Sequence, residues 1–404
     1  MRRTVTFDIP LKIKTLMKMN ACNTNLLNLI KQSLWEQGSA IVDENVYKEM
    51  KTHTLVALPA TILSQLEMPE KLRQTWKTEI YKQIAYNVNY QLCQTQIPVT
   101  VPYVILKGTE AAKYYPHPQL RAMGDIDIIT RHEDFDAAYQ RFIELGYQIQ
   151  KNYDREVGFY KDGILVELHR NFSKLNNVKH ARYLDDLILS NINPSHQLPD
   201  RINGLVLLEH ISQHLVNGLG LRQIIDWMMF VDKCLSDDEW PEFRVMTRNI
   251  GLENLALVAT RMCEMYLGLP CRTWCQNVNE ELCRQLMEYV LSCGNFGAKR
   301  QNDRSYTENV FVYSRNPIAL FKLLQKMGME NWRAAQRFPI FRPFAWLYQA
   351  FRYLKRGIFQ RNAFRTIKDS YEESRNRIKL FDALGVRQDS KGLVVYKNGE
   401  YIKE

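Results

Sequence analysis

Residues 121–130 read RAMGDIDIIT, and the fold turns on how this stretch is read. The isoleucines make a short apolar run of the kind that forms a buried strand. Asp125 and Asp127 stand inside that run, although aspartate is depleted from strands. Positions i and i+2 of a strand point to the same face. Asp125 and Asp127 therefore share a face, with Ile126, Ile128 and Ile129 expected to turn away from them into a core. Two neighbouring carboxylates repel unless something positive lies between them, so the stretch is either a solvated edge or the seat of a cation.

Upstream, YVILKG (103–108) is a second apolar strand, stopped by Gly108, and TEAAKYY suits a short helix. Gly108 permits close backbone approach, and free N–H groups at a helix start bind anions. Thr109 can cap that helix or touch a phosphate, and Lys107 adds charge. Downstream, RHEDFDAAYQRFIELGY is an amphipathic helix ending at Gly146. YQIQKN, REVGFYK and ILVELHR then read as strands, with Asp162-Gly163 turning between the last two. In ILVELHR, Val166 and Leu168 flank Glu167, so Glu167 faces opposite to them. If its strand lies beside that of Asp127, three carboxylates converge; Glu156 and Asp162 are nearby competitors for the third place. His169 shares the face of Glu167 and reads equally as a phosphate contact, a group that orients a carboxylate or a core histidine. A cluster of carboxylates repels itself at low effective dielectric. Mg²⁺ or Mn²⁺ resolves this, because such ions take carboxylate oxygens together with substrate phosphates and assist in-line phosphoryl displacement.

LKG, then R-x-x-G-D-I-D-I, then V-E-L-H-R resembles the nucleotidyltransferase superfamily related to polymerase β, and more closely a bacterial group of uncharacterised nucleotidyltransferases. The resemblance implies a polymerase-β-like α+β core, a small mixed sheet flanked by helices. It implies that Gly108 and Thr109 occupy the nucleotide-binding turn. Asp125, Asp127 and Glu167 would be the catalytic metal ligands, with Glu167 serving the acceptor. It covers residues 103–172 closely and extends loosely through HISQHLVNGLGLRQIIDW. Thr109 stands where serine is usual, the third acid is Glu rather than Asp, and the insert YYPHPQLR lengthens the gap to Asp125 and brings Arg121 near the site. Arg121 then reads as a neutraliser of carboxylates or phosphates, or as a plain surface arginine.

Outside this core the sequence reads as helical. The expected units are an N-terminal helical region (1–100), the nucleotidyltransferase core (101–180), a helical domain (181–335) and a basic aromatic tail with a terminal hairpin around Asn398-Gly399 (336–404). His210 and His214 stand i, i+4 on one helix, and Arg222 and Asp226 on the next. His214 and Arg222 are candidate nucleotide contacts, and Arg222–Asp226 also reads as a helix salt bridge. The cysteines lack the paired spacing of zinc sites, and no P-loop or Rossmann glycine pattern occurs. The formal charge of +10 suits an anionic partner. The start carries no apolar run of signal-peptide length, and no stretch approaches the roughly 18–20 apolar residues of a membrane span. A cytoplasmic protein, peripheral at the membrane in one reading, is expected. Residues 336–368 mix Arg and Lys with Phe, Trp and Tyr and contain no acid. They suit an anionic membrane surface, a helical packing face or, less favoured, nucleic acid. The sequence reading is a Mg²⁺-dependent enzyme that moves a nucleoside monophosphate from a triphosphate to an unknown hydroxyl acceptor and releases pyrophosphate. The alternatives are a catalytically inactive nucleotide-binding module and a membrane-associated accessory protein of cell-surface polymer synthesis.

Overall fold

A computed structural model describes residues 20–153, 155–300, 312, 317–359, 363–386, 395–397 and 400–402. Helix α1 (Ala21–Trp35) begins where the Asn20 side chain accepts from the Asn23 N–H, and α2 (Glu44–Thr52) where Asp43 accepts from Asn45 and Val46. Both caps satisfy donors that a helix start leaves orphaned. The long helix α3 (Glu70–Thr95) follows Pro69, as its spacing predicts.

Five strands then make one mixed sheet: β1 (Tyr103–Leu106), β2 (Ile126–Thr130), β3 (Gln148–Asn152), β4 (Glu156–Lys161) and β5 (Ile164–His169), in the order β1-β2-β5-β4-β3. β2 and β5 run parallel, and the other pairs are antiparallel. The short α4 (Gly108–Ala112) and α5 (Phe135–Glu144) lie between the early strands. The β4–β5 turn places Asp162 and Gly163 at φ 52° and 82°, the left-handed pair that a tight hairpin demands. The chain is α+β, a small mixed sheet flanked by helices. Helices α6 (Val178–Ser190), α7 (Asp200–Asn217), α8 (Leu221–Cys234), α9 (Trp240–Asn249), α10 (Glu253–Leu267) and α11 (Glu280–Cys293) follow. Val395–Lys397 pairs with Glu400–Ile402 as the expected terminal hairpin. Its turn residues Asn398 and Gly399, and the opening segment 1–19, lie outside the described residues.

The alternation of β2 divides its side chains between two cores. Ile126 and Ile128 pack with Val166, Leu168 and the α5 residues Phe135 and Phe142. Ile129 does not turn away from the aspartates as expected. It is two residues from Asp127, shares its face, and joins Val104 and Leu106 in the helical core. That core also unites Leu26 of α1 and Met50 of α2 with Trp227 of α8, Leu255 of α10 and the distant Phe381. Residues of the N-terminal and C-terminal helices thus meet in one hydrophobic core. The boundary expected at 335/336 falls inside a helical hairpin, in which Pro317–Asn331 packs on Ala345–Phe359.

Candidate active site

The parallel pairing of β2 with β5 sets Asp127 opposite Glu167 and Ile129 opposite His169. Antiparallel pairing of β4 sets Glu156 opposite His169 and Gly158 opposite Glu167. Asp127, Glu167, His169 and Glu156 therefore share one face of the sheet, and all four are buried. Asp125 stands one residue before β2 rather than within it, and lines the same cleft of about 330 Å³ as Asp127 and Glu167.

The carboxylates of this wall are balanced by basic groups beside them. The Lys107 ammonium lies 2.9 Å from Asp127 Oδ1, and His169 Nε2 donates to the same oxygen at 2.8 Å. Burial pushes the Asp127 carboxyl up, but Lys107 and the His169 hydrogen bond outweigh it and hold it below its ordinary range. Burial pulls Lys107 down, and the attraction of Asp127 and then Asp125 more than reverses this. Glu156 is treated likewise: burial raises it, while His169 and Lys174, whose Nζ is 3.3 Å away, bring it below the usual range. One ligand atom each from Asp127, Glu167 and His169 lie within 4.8 Å of one another. That spacing and the two carboxylates fit one divalent cation, which the imidazole could join only after giving up the proton it shares with Asp127. Asp125, the further ligand of the sequence reading, lies outside this cluster and lines the same cleft.

Gly108 of the expected phosphate cradle lines the cleft, and both it and Thr109 also make contacts to α3. Gly108 has φ +43°, and a Cβ there would sit 2.3 Å from the Tyr90 hydroxyl. The close approach that this glycine permits is thus made by α3. Thr109 does not cap α4; its hydroxyl donates to Gln94 Oε1 at 3.0 Å, and α4 is a single turn of five residues. Lys107 itself adopts φ 59°, a conformation rare for a residue with a side chain.

Helix α3 holds the segment that enters β2. Tyr86 donates to the Gly124 carbonyl at 2.9 Å, Tyr90 to that of Asp125 at 3.2 Å, and Asn87 Nδ2 to those of Gln119 and Arg121 at 2.8 Å each. From the other side, Arg121 Nε and Nη2 donate to the two oxygens of Asp226 at 2.7 Å each, and Tyr115 adds a third bond of 2.7 Å. This corrects two expectations. Arg121 lines the cleft but is buried in an ion pair with Asp226 and is not a surface residue. Asp226 pairs with Arg121 across 105 positions of sequence rather than with Arg222 one turn away. A bidentate pair of this kind fixes geometry as well as charge.

The opposite wall is helical. His210, Gln213, His214 and Asn217 stand at i, i+3, i+4 and i+7 on α7, and Arg222 follows near the start of α8. The two histidines touch through Nε2 atoms 2.9 Å apart. Burial, then the positive Lys107, lowers His214 to about 3. Burial, then His214, carries His210 well below its ordinary value. Both imidazoles are neutral at pH 7. Arg222 is buried, donates to the Ala122 carbonyl at 3.1 Å, and has no partner for its Nε among the described residues. Burial and the neighbouring Arg121 lower its pKa. Phe296 closes this side, 53% exposed, with its ring 4.9 Å from that of His214. Its turn is seated by two glycines: a Cβ on Gly218 would fall 2.2 Å from the Gly297 nitrogen, and one on Gly297 would fall 2.4 Å from the Asn217 carbonyl.

Glu156, a competitor for the third carboxylate in the sequence reading, joins the wall beside Glu167, while sequence reasoning missed Lys174, Gln213, Asn217, Phe296 and the tyrosines of α3. Gln213 and Asn217 did carry a signal, since a polar stripe at i, i+3, i+4, i+7 interrupts an otherwise apolar helix. Residues 39–268, more than half of the chain, match the family model described as uncharacterised nucleotidyltransferase. No curated protein and no solved structure matches the chain.

Proposed function

We propose, from the premise that the chain belongs to the uncharacterised nucleotidyltransferase family, that this cleft transfers a nucleoside monophosphate from a triphosphate to a hydroxyl acceptor. The observation that carries the reading is the direct pairing of Asp127 with Glu167 on parallel neighbours β2 and β5, facing a wall that offers the buried Arg222. Asp127 and Glu167, joined by Asp125 or His169, are the groups that would hold Mg²⁺ or Mn²⁺. Such an ion, when bound, offsets the charge of the phosphates and lowers the pKa of a nearby hydroxyl.

The chain's own residues supply the rest. Arg222 has the positive charge for a phosphate oxygen, and its buried position strengthens that attraction relative to water. In the neutral His210–His214 pair one imidazole donates its single N–H to the other, whose remaining N–H can be offered to a phosphate oxygen. Lys107 holds Asp127 ionised and lies beside the turn at Gly108. Phe296 gives a flat apolar surface for a planar base at the mouth. In the transfer, the acceptor oxygen forms a bond to the α-phosphorus, the bond from that phosphorus to the bridging oxygen breaks, and pyrophosphate leaves. The hydroxyl proton passes to Glu167. Preorganised charge and orientation supply most of the rate.

The test combines titration calorimetry of each triphosphate, with and without Mg²⁺, with pyrophosphate release over a panel of sugar, small-molecule, protein and RNA acceptors. The reading fails if no triphosphate binds in Mg²⁺ or if Asp125→Asn keeps full turnover. A second reading, nucleotide binding without turnover, is favoured by the Lys107–Asp127 contact, because an ammonium already stands at a carboxylate where a metal is wanted. Binding without pyrophosphate release over the whole panel would select it.

A further inference from the structure

The helical hairpin beyond the family match has one finished face and one unfinished face. Inside, Gly328 and Ala345 meet so closely that a Cβ on Gly328 would lie 1.9 Å from the Ala345 carbonyl. Trp332 stacks on Tyr348 at 5.0 Å, and Trp346 packs at 5.5 Å from Phe321, which stays 46% exposed. Gln325 donates to the Arg342 carbonyl at 2.6 Å and accepts from the Trp346 N–H at 3.1 Å. Outside, Phe344 ends the turn Pro339–Phe344, and Leu347 and Phe351 continue its line at i+3 and i+7 on the helix Ala345–Phe359. They are 52%, 46% and 67% exposed, and Ile340 in the preceding turn is 74% exposed. Arg333, Arg337, Arg342 and Lys355 are exposed around them. From Arg333 to Lys368 every charged residue of the sequence is basic.

We propose that this face docks on an anionic lipid bilayer, lying in the interface with its apolar stripe in the acyl boundary and its arginines among the headgroups. Charge complementarity selects the partner. A second copy would bring one acid-free surface against another. Nucleic acid meets the cations but gives Ile340 and Leu347 no stacking surface, whereas acyl chains take aliphatic and aromatic groups alike. No helix among the described residues is long and apolar enough to cross a membrane, so the contact is one of surface. The inference does not rest on the reaction assigned to the cleft.

The test is sedimentation of the full chain with vesicles of phosphatidylcholine alone and of equal parts phosphatidylcholine and phosphatidylglycerol. Binding is expected to the anionic vesicles and to fall with added salt. Arg337→Ala with Arg342→Ala should lower partitioning about 25-fold, at roughly fivefold per cation. Ile340→Ser with Phe351→Ser should lower it at least about tenfold through lost apolar burial. Both pairs are solvent-exposed, and an unchanged circular dichroism melt shows that their losses are not unfolding. Absence of binding to anionic vesicles would overturn the proposal. So would tighter binding to a single-stranded oligonucleotide, or a dimer in light scattering that Ile340→Ser with Phe351→Ser dissolves.

Discussion

The two walls of the cleft handle charge in opposite ways. On the sheet wall, Asp127 meets Lys107 and His169, and Glu156 meets Lys174, so each of these carboxylates is met by a nearby basic group. On the helical wall the imidazoles of His210 and His214 are kept neutral, and Arg222 donates to a carbonyl and lies 5.7 Å from the centre of the Phe296 ring, with no carboxylate bonded to it among the described residues. One wall is arranged to stay ionised and accept cations; the other holds a buried cation that no carboxylate pairs with directly among the described residues. The difference teaches where an elongated ligand that is anionic at one end and metal-associated would gain free energy, because a buried charge without its partner is the costly state.

The sharpest way to break this contrast is to remove the anion on the sheet side. Asp127→Asn should lower nucleotidyl transfer by on the order of 10³-fold. Because it strands the Lys107 ammonium it should also destabilise the fold by about 3–5 kcal/mol. Asp125→Asn should lose transfer with little change in melting temperature. Denaturant melts beside rate assays separate the two, and equal melts for both variants would show that the Lys107 contact contributes nothing to stability. Next, Arg121→Met strips buried Asp226 of its bidentate partner. The expected loss is again about 3–5 kcal/mol by urea unfolding, with the wall moved rather than the chemistry removed.

Glu209 of α7 ties the walls together, since its Oε1 accepts from the Lys174 N–H at 2.5 Å and from the Ser173 hydroxyl at 3.2 Å. Burial raises this carboxyl to about 7. A raised acid holds its proton in the folded state while the unfolded chain has released it, so stability falls as pH rises from the unfolded value near 4.5 through about 7. Glu209→Gln should therefore stabilise the protein at pH 8, by up to about 3 kcal/mol, and do nothing at pH 4. A melting-temperature difference that stays constant across that range would refute the assignment. The smallest effect is expected on the helical wall itself. Arg222→Met should weaken triphosphate binding about 30-fold, roughly 2 kcal/mol, while leaving the melt unchanged or higher, because an uncompensated buried charge has been removed. A lower melt with unaltered affinity would make Arg222 a packing residue instead.

What was legible in the sequence follows from distance along the chain. Asp127 and Glu167 each sit between apolar residues that alternate with period two, so local pattern alone sets the face on which they lie. The same rule, applied strictly, would have put Ile129 with Asp127. Glu156 opens its strand with Arg155 before it, and only the β4–β5 register, which sets it opposite His169, reveals its membership. The Arg121–Asp226 pair joins positions 105 apart and leaves no local trace; the nearer Arg222 drew attention because i, i+4 spacing is all that a sequence displays. Tyr90 was hidden for a similar reason, since the glycine that accommodates it reads equally well as room for a ligand. Phe296 lies in a turn held by two glycines, and nothing in its immediate sequence points to a cleft formed by residues far upstream.

The parallel pairing of Asp127 with Glu167 has a consequence for how such a site tolerates change. Neighbouring strands lie about 4.8 Å apart wherever their backbone bonds persist, so the ladder acts as a calliper on the two carboxylates. Substitutions in the surrounding helices can reshape the mouth, and with it the choice of ligand, without resetting that gauge.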